Sequence, residues 1–282
     1  QVSALEVAGM RGGPMHAQGR LERIAFDPVG DAPGMDGLSG RFEGDGQGWQ
    51  LALDPRSALS FDWPSGFGVL HELALDGTVL AWREGAGWEV GTPALRLDGG
   101  DYAADVRGGL WFQGDGTRPW IGIAADIDDA PVPVAKKFWV HHRMSGAAVD
   151  WLDMALEDGV VSGGRGLVAG DLDDWPFTGN NGRFEATAHI RDGRIRYQQD
   201  WPVLEALDAE VAFIGNGFSL QGQGTTRGLP IQRLQAGIAD FSHAPLKVRA
   251  SARGDAASML ELLRNSPLDR EHHETFANLE AS

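Results

Sequence analysis

Apolar and polar residues alternate with a period of two through most of the chain. Successive side chains of a β-strand point to opposite faces of a sheet, so this pattern is typical of antiparallel strands with one apolar face. Turns that contain glycine, such as Asp98-Gly99-Gly100 and Asp192-Gly193, separate the stretches. The alternation is clearest in the segments 69–76, 184–190, 234–238 and 246–253.

Helical periodicity is limited to three short stretches, at residues 133–142, 146–157 and 255–265. The second has an apolar stripe that includes Val149 and Leu152, and the third follows the N-cap candidate Asp255 and ends before Pro267. The chain is therefore predicted to be mainly β, with less than about a fifth of its residues in helices.

A repeat marks the first half of the chain, where three Leu-x-Leu-Asp segments begin at Leu51, Leu73 and Leu95. This spacing accommodates two strands of about 8 residues and two turns, which predicts stacked hairpins. The predicted segments are a first β-meander over 1–132, a helical insertion over 133–158, a second β-meander over 159–268 with a helix near 255–265, and a polar tail over 269–282.

Three short helices are too few to cover the apolar faces of so many strands. Either two halves of the sheet cover each other, or one curved sheet keeps an apolar trough. The repeat favours an elongated, curved antiparallel β-meander with an apolar groove, because it stacks hairpins in one direction. The groove candidates are the apolar members of the alternating stretches: Leu73, Leu75, Leu95, Leu97, Phe184, Ile190, Leu234, Ile238, Val248 and Ala250.

Composition and charge exclude several classes of protein. The formal net charge of −16 argues against nucleic-acid binding and against flat docking on an anionic membrane surface. The absence of cysteine excludes disulfides, thiolate zinc sites and cysteine nucleophiles. No apolar run reaches the roughly 20 residues that span a bilayer. The start at Gln1, inside a strand pattern, indicates a fragment of a longer protein.

Clusters of polar residues favour structural roles over catalysis. The acidic groups 171–174 and 126–129 lack the twelve-residue calcium-loop pattern, and they are interpreted as solvated turns. The adjacent pairs His141-His142 and His272-His273 differ from the i, i+4 spacing of zinc ligands. Asp-Trp-Pro occurs at 62–64, 174–176 and 200–202, where it is interpreted mainly as corner packing. We expect no catalytic residue, no metal and no cofactor.

Several longer stretches carry a family resemblance. Arg107-Gly108-Gly109-Leu110-Trp111-Phe112 and Gly170-Asp171-Leu172-Asp173-Asp174-Trp175-Pro176-Phe177 are the most specific, and Phe61-Asp62-Trp63-Pro64, Phe138-Trp139 and Trp201-Pro202 add to them. Together they resemble the central region of the YhdP family of AsmA-like, TamB-type envelope proteins, over about residues 40–268.

The resemblance implies a periplasmic segment of a protein that is anchored in the inner membrane by a part outside this fragment. It implies a β-groove whose apolar inside carries phospholipid acyl chains toward the outer membrane, so phospholipids and the two membranes would be the partners. It brings no catalytic motif and no cofactor. Partner proteins of the envelope stay unidentified.

Two other functions fit the residues. Tryptophan richness and paired aspartates are compatible with a carbohydrate-binding or carbohydrate-cleaving β-domain. A closed spacer without a ligand is the other alternative. Co-purified lipid would distinguish the groove from both.

Overall fold

The computed structural model describes residues 1–177, 179 and 181–270, with the side chain of residue 143 excepted. More than half of these residues lie in strands. The registers that they define are antiparallel, as in the pairings β8–β9, β10–β11 and β16–β17. The prediction of a mainly antiparallel β fold with a few short helices is confirmed.

Eighteen strands occur in the described part of the chain. They are β1 (Val2–Gly9), β2 (Met15–Leu21), β3 (Ile24–Phe26), β4 (Gly34–Gly37), β5 (Gly40–Asp45), β6 (Gly48–Leu53), β7 (Ser57–Asp62), β8 (Leu70–Glu84), β9 (Gly87–Asp98), β10 (Ala103–Phe112), β11 (Trp120–Ile127), β12 (Ala130–Pro131), β13 (Leu156–Asp171), β14 (Gly182–Ile195), β15 (Leu204–Ile214), β16 (Gly217–Thr226), β17 (Leu229–Ile238) and β18 (Lys247–Ala252).

The helices are short. The α-helices of the described residues are α1 (Gly146–Ala155) and α2 (Ala256–Arg264), and the 3-10 helices are Val132–Phe138, His141–Arg143 and Leu172–Asp174. The Ser145 hydroxyl caps α1 by accepting from the Ala148 N–H at 3.2 Å, and Asp255 caps α2 by accepting from the Ser258 N–H at 2.8 Å. No helix in this part of the chain combines the length and apolar character needed to cross a bilayer.

Two of the three predicted helices are confirmed, and the first differs. The 3-10 helix Val132–Phe138 stops before residues 139–140, which are not helical, and the N–H groups of His141 and His142 donate to the carbonyl oxygens of Gly66 and Ser65. At these two residues the bonds to Gly66 and Ser65 take the place of the i→i−4 bonds of an α-helix, so no continuous α-helix reaches residue 142.

The backbone divides into two compact units. Among the described residues, unit 1 comprises 1–129, 137–144 and 163–186, and unit 2 comprises 130–136, 145–162 and the residues from 187 to 270. Strands β13 and β14 contribute residues to both. The predicted segmentation stays a prediction, and residues 271–282 of the predicted polar tail lie outside the described residues.

Hydrogen bonding in unit 1 joins the strands in the order β1, β2, β5, β6, β8, β9, β10, β11 and β13. A side branch of β3, β4 and β7 pairs with the first half of β8. Gly108 adopts φ +112°, and a Cβ there would lie 1.9 Å from the Gly122 carbonyl oxygen, so only glycine fits where β10 meets β11.

The three Leu-x-Leu-Asp segments do not mark successive hairpins. The second and third lie on neighbouring strands β8 and β9, where Leu75 is directly opposite Leu97. The first lies on β6, whose Leu51 is opposite Val79 in the second half of β8. The repeat therefore brings its leucines onto paired strands rather than onto equivalent positions of a stacked array.

Unit 2 is built from hairpins around a packed core. Strands β15, β16, β17 and β18 pair in chain order, and Arg227-Gly228 between β16 and β17 has φ +47° and +77°, as in a type I′ turn. The core is one cluster of buried apolar side chains with 0–8% of their surface exposed: Val132, Ile190, Leu204, Leu207, Ala209, Leu220, Ile231 and Leu234.

Candidate functional site

The strand registers of unit 1 place apolar side chains together on one side of its sheet. We call this side the apolar face of unit 1. Its members on the central strands are directly opposite one another in the ladders, as with Leu75 and Leu97, Leu97 and Ala104, or Leu95 and Val106. The larger members include Leu21, Phe42, Trp49, Leu51, Leu53, Leu73, Leu75, Val79, Trp88, Val90, Leu95, Leu97, Val106, Leu110, Phe112, Ile121, Ile123 and Ile127.

This face is only partly covered. Most of its side chains are half-buried, and Trp49, Phe112 and Ile127 expose 37%, 44% and 39% of their surface. Neither α1 nor α2 belongs to unit 1, so within that unit the described residues place no α-helix over the face. An apolar surface of this extent is typical of a ligand- or partner-binding surface rather than of a packed core.

A shallow apolar pocket lies on this face. Its volume is about 250 Å³. It lies between β2, β5, β6 and β8, and it is lined mainly by Leu21, Phe42, Trp49, Leu51, Val79 and Ala81. Methylene and methyl groups gain free energy on entering such a site because they leave water.

The opposite face of the same strands carries their paired charged side chains, beside Leu80, Trp82, Trp111 and Trp120, and we call it the polar face. Arg96 pairs with Asp105 at 3.2 Å and donates to Asp128 at 3.0 Å, and Asp126 accepts from Arg107 at 3.1 Å. The Arg96 guanidinium lowers the pKa of Asp128 through their hydrogen bond. These pairs are exposed, so each stabilises the fold little. An apolar ligand that covered them would remove their hydration, which costs free energy.

An aromatic cluster covers one end of the apolar face, where β7 and β8 meet. Phe67 contacts Trp63, His71 and Phe138, with ring centroids 5.1–5.6 Å apart. His71 is 4% exposed, and its Nε2–H donates to the Lys137 carbonyl oxygen at 3.1 Å. In the neutral ring, which burial favours, Nδ1 accepts from the Tyr102 hydroxyl at 2.6 Å. Burial raises the pKa of Tyr102 to about 12.

Burial also lowers the pKa of His71, and this gives unit 1 a pH dependence. The folded state binds the proton more weakly than the unfolded state, whose histidine pKa is about 6.5. His71 therefore makes its full contribution to the free energy of unfolding above about pH 6.5, and this contribution is lost as the pH falls through the pKa of His71 in the folded state. We expect the free energy of unfolding to fall from pH 7 to pH 5, and His71→Gln to remove that part of the decrease.

His189 in unit 2 supplies the matched control. A hydrogen bond to Glu210, at 2.9 Å, raises the pKa of His189, so its contribution is present at low pH and is lost as the pH rises through the folded pKa. His189→Gln should therefore change the slope of the free energy of unfolding against pH in the direction opposite to His71→Gln. Urea unfolding at several pH values measures both, and equal slopes for wild type and His71→Gln would contradict the assignment.

The groove candidates predicted from sequence fall in both units. Leu73, Leu75, Leu95 and Leu97 all lie on the apolar face of unit 1. Phe184, also in unit 1, packs on Trp175 with ring centroids 5.3 Å apart. Their role in binding stays a prediction, and so does that of the candidates in unit 2.

In unit 2, Leu234 lies opposite Ala250, and Ile238 follows it on the same face as Val248. Ile190 and Leu234 are buried in the core cluster, at 7% and 6% exposure, whereas Val248 on the last strand is 47% exposed. Ile190 and Leu234 therefore pack the core of unit 2, whereas Val248 is accessible to a ligand.

Phe42, Trp49, Ile121 and Ile123 of the apolar face were not among the groove candidates predicted from the sequence. The alternation that predicts a strand face is nevertheless present around them, because polar or small residues flank Phe42, separate Trp49 from Leu51 and separate Ile121 from Ile123. The aromatic cluster carried no such signal, since His71 and Lys137 are 66 residues apart.

Residues of the acidic cluster 171–174 and of the Asp-Trp-Pro segment 62–64 make hydrogen bonds that hold the local backbone in place. Asp171 accepts from the Asp173 N–H at 2.9 Å, and Asp173 accepts from the Arg118 N–H at 3.1 Å. Trp63 donates to the Asp31 carbonyl oxygen at 2.7 Å. The described residues contain no group of three or more His, Asp or Glu side chains placed to hold a metal ion.

Comparison with known proteins gives one family. The family model described as "YhdP protein" matches residues 1–282, including the first 39 residues, where the resemblance in the sequence was weaker. A curated relative from Escherichia coli (strain K12), "Intermembrane phospholipid transporter YhdP", is 26% identical over 243 residues. The match covers 84% of this chain and 19% of that protein, so the chain spans about a fifth of the relative's length. No solved structure matches the chain.

Proposed function

This chain belongs to the YhdP family, and from that premise we propose that it is one segment of a periplasmic protein that conducts phospholipid acyl chains between the inner and outer membranes. The longer protein would be anchored in the inner membrane by a part outside these residues. The chain would act by binding rather than by catalysis, and it would support the outer-membrane barrier.

The observation that carries this proposal is the half-exposed apolar face of unit 1. Each CH₂ group that leaves water for an apolar surface gains about 0.8 kcal/mol, so a long acyl chain gains on the order of 10 kcal/mol. A sheet face with many similar small and branched side chains offers that gain at neighbouring positions. A lipid therefore moves along it without crossing a full aqueous barrier.

The proposed path includes the predicted residues that face outward. Leu73, Leu95 and Leu97 would contact acyl chains in unit 1, and Ile238, Val248 and Ala250 would do so in unit 2. The buried Ile190 and Leu234 would support the wall from behind.

Two adjacent residues with opposite orientations test the proposal. Leu95 lies on the apolar face, opposite Val106, and Arg96 lies on the polar face, opposite Asp105. A photo-crosslinking amino acid at position 95 of the full-length protein should give phospholipid adducts in cells, and the same group at position 96 should give few. Mass spectrometry identifies the adducts. Absence of lipid at both positions would favour the closed spacer, and oligosaccharide adducts would favour the carbohydrate-binding alternative.

A further inference from the structure

We propose that Arg83 binds the phosphate of a phospholipid whose acyl chains lie on the apolar face of unit 1. This inference rests on the proposed function and adds to it the position and chemistry of headgroup recognition.

Arg83 is placed on the apolar face by the register of β8. Residues of odd number on this strand share that face, as the pairs Leu75–Leu97 and Ala81–Val90 show, and Arg83 is opposite Trp88. Among the described residues of β2, β5, β6 and β8–β11, it is the only charged side chain on this face. An anionic group of a ligand on this face would therefore find its positive partner at Arg83.

The guanidinium of Arg83 has no such partner within the described residues. It makes no hydrogen bond or ion pair there, although its backbone N–H donates to the Gln47 carbonyl oxygen at 2.8 Å. On the polar face, Arg20, Arg96 and Arg107 pair with aspartates, whereas Arg41 makes no side-chain hydrogen bond or ion pair within the described residues, as Arg83 does not, and is therefore the matched control. Arg83 is exposed and lies one residue from the turn Gly85-Ala86, so a ligand reaches it from solvent.

Apolar, aromatic and charged side chains follow one another along the face toward Arg83, which matches a ligand with an apolar chain and a charged headgroup. Ala81, the next residue of β8 on this face, lines the apolar pocket of about 250 Å³ together with Trp49. Trp88 lies opposite Arg83, and Phe112 lies opposite Trp88 on the far side. Aromatic rings are favoured where an apolar region meets water. An acyl chain in the pocket would thus leave its phosphate at the guanidinium, which donates two parallel hydrogen bonds to phosphate oxygens.

The test compares two lipids with identical acyl chains, phosphatidylglycerol and diacylglycerol, for retention by the full chain after transfer from detergent. Wild type should retain phosphatidylglycerol about tenfold better, which corresponds to about 1.4 kcal/mol. Arg83→Gln should lose this preference and retain diacylglycerol unchanged. Arg41→Gln removes the same charge from the polar face, where Arg41 lies opposite Ala52, and should behave as wild type.

The outcomes separate the two proposals. If Arg83→Gln keeps the preference for phosphatidylglycerol, the headgroup role is overturned and lipid binding stands. If wild type retains neither lipid, the proposed function fails and the headgroup role fails with it. Inorganic phosphate at millimolar concentration should not displace phosphatidylglycerol. Displacement would identify a free-phosphate site and overturn the inference. Melting temperatures of both variants should match wild type, because both side chains are exposed.

Discussion

Replacing Leu207 with aspartate should unfold unit 2. Leu207 has 0% of its surface exposed and lies within the core cluster, beside Ile190, Leu204 and Leu220. A carboxylate at this position would lose its hydration without gaining an ion pair or a hydrogen bond. The lost apolar packing adds to that cost, so we expect the free energy of unfolding to fall by more than about 4 kcal/mol.

The control for this exchange is Val248→Asp. Val248 lies on β18, the last strand of unit 2, and 47% of its surface is exposed. The new carboxylate would stay hydrated there, so the free energy of unfolding should change by less than about 1 kcal/mol. Urea unfolding followed by circular dichroism measures both variants. A Leu207→Asp protein with the midpoint of wild type would show that the core cluster does not hold unit 2 together.

The alternation of apolar residues predicted the orientation of Leu73, Leu75, Leu95 and Leu97, because each pair lies within one regular stretch of strand. The same alternation does not predict side-chain orientation across the irregularity in β9. The register there shifts between Thr92 and Leu95, so Val90 and Leu95 share a face although they are five residues apart. An extra residue in one strand reverses the parity beyond it, and sequence alternation alone places these two side chains on opposite faces.

The choice between a closed core and an open face could not be made from sequence. Leu95 and Leu234 are both leucines in alternating strands, yet one is half-buried and the other is 6% exposed. The difference comes from contacts between distant segments, since Leu234 packs in a cluster that also contains Val132. The charge of Arg83 on the apolar face follows from its parity on β8, but its lack of an ion pair depends on neighbouring strands.

The difference between these two leucines gives the last prediction. Leu95→Asp should abolish phospholipid loading while the protein stays folded. Water reaches the new carboxylate on the half-exposed face when no lipid is bound, so the melting temperature should change little. An acyl chain on the face would desolvate the charge at a cost of several kcal/mol, which lowers loading by at least about 100-fold. Leu95→Asn carries a neutral side chain of the same size and should retain more lipid than the aspartate.

Leu234→Asp is the comparison that distinguishes an open face from a closed core, because the same chemical change there buries an unpaired charge and should unfold unit 2. Melting temperature and the amount of co-purified phospholipid are measured for all three variants. If Leu95→Asp collapses the melting temperature as Leu234→Asp does, the face around Leu95 is closed and the chain is a spacer. If Leu95→Asp loads lipid as wild type does, phospholipid does not travel over this face. Only a stable Leu95→Asp protein without lipid, beside an unfolded Leu234→Asp protein, agrees with acyl chains that lie against the leucines of β8 and β9.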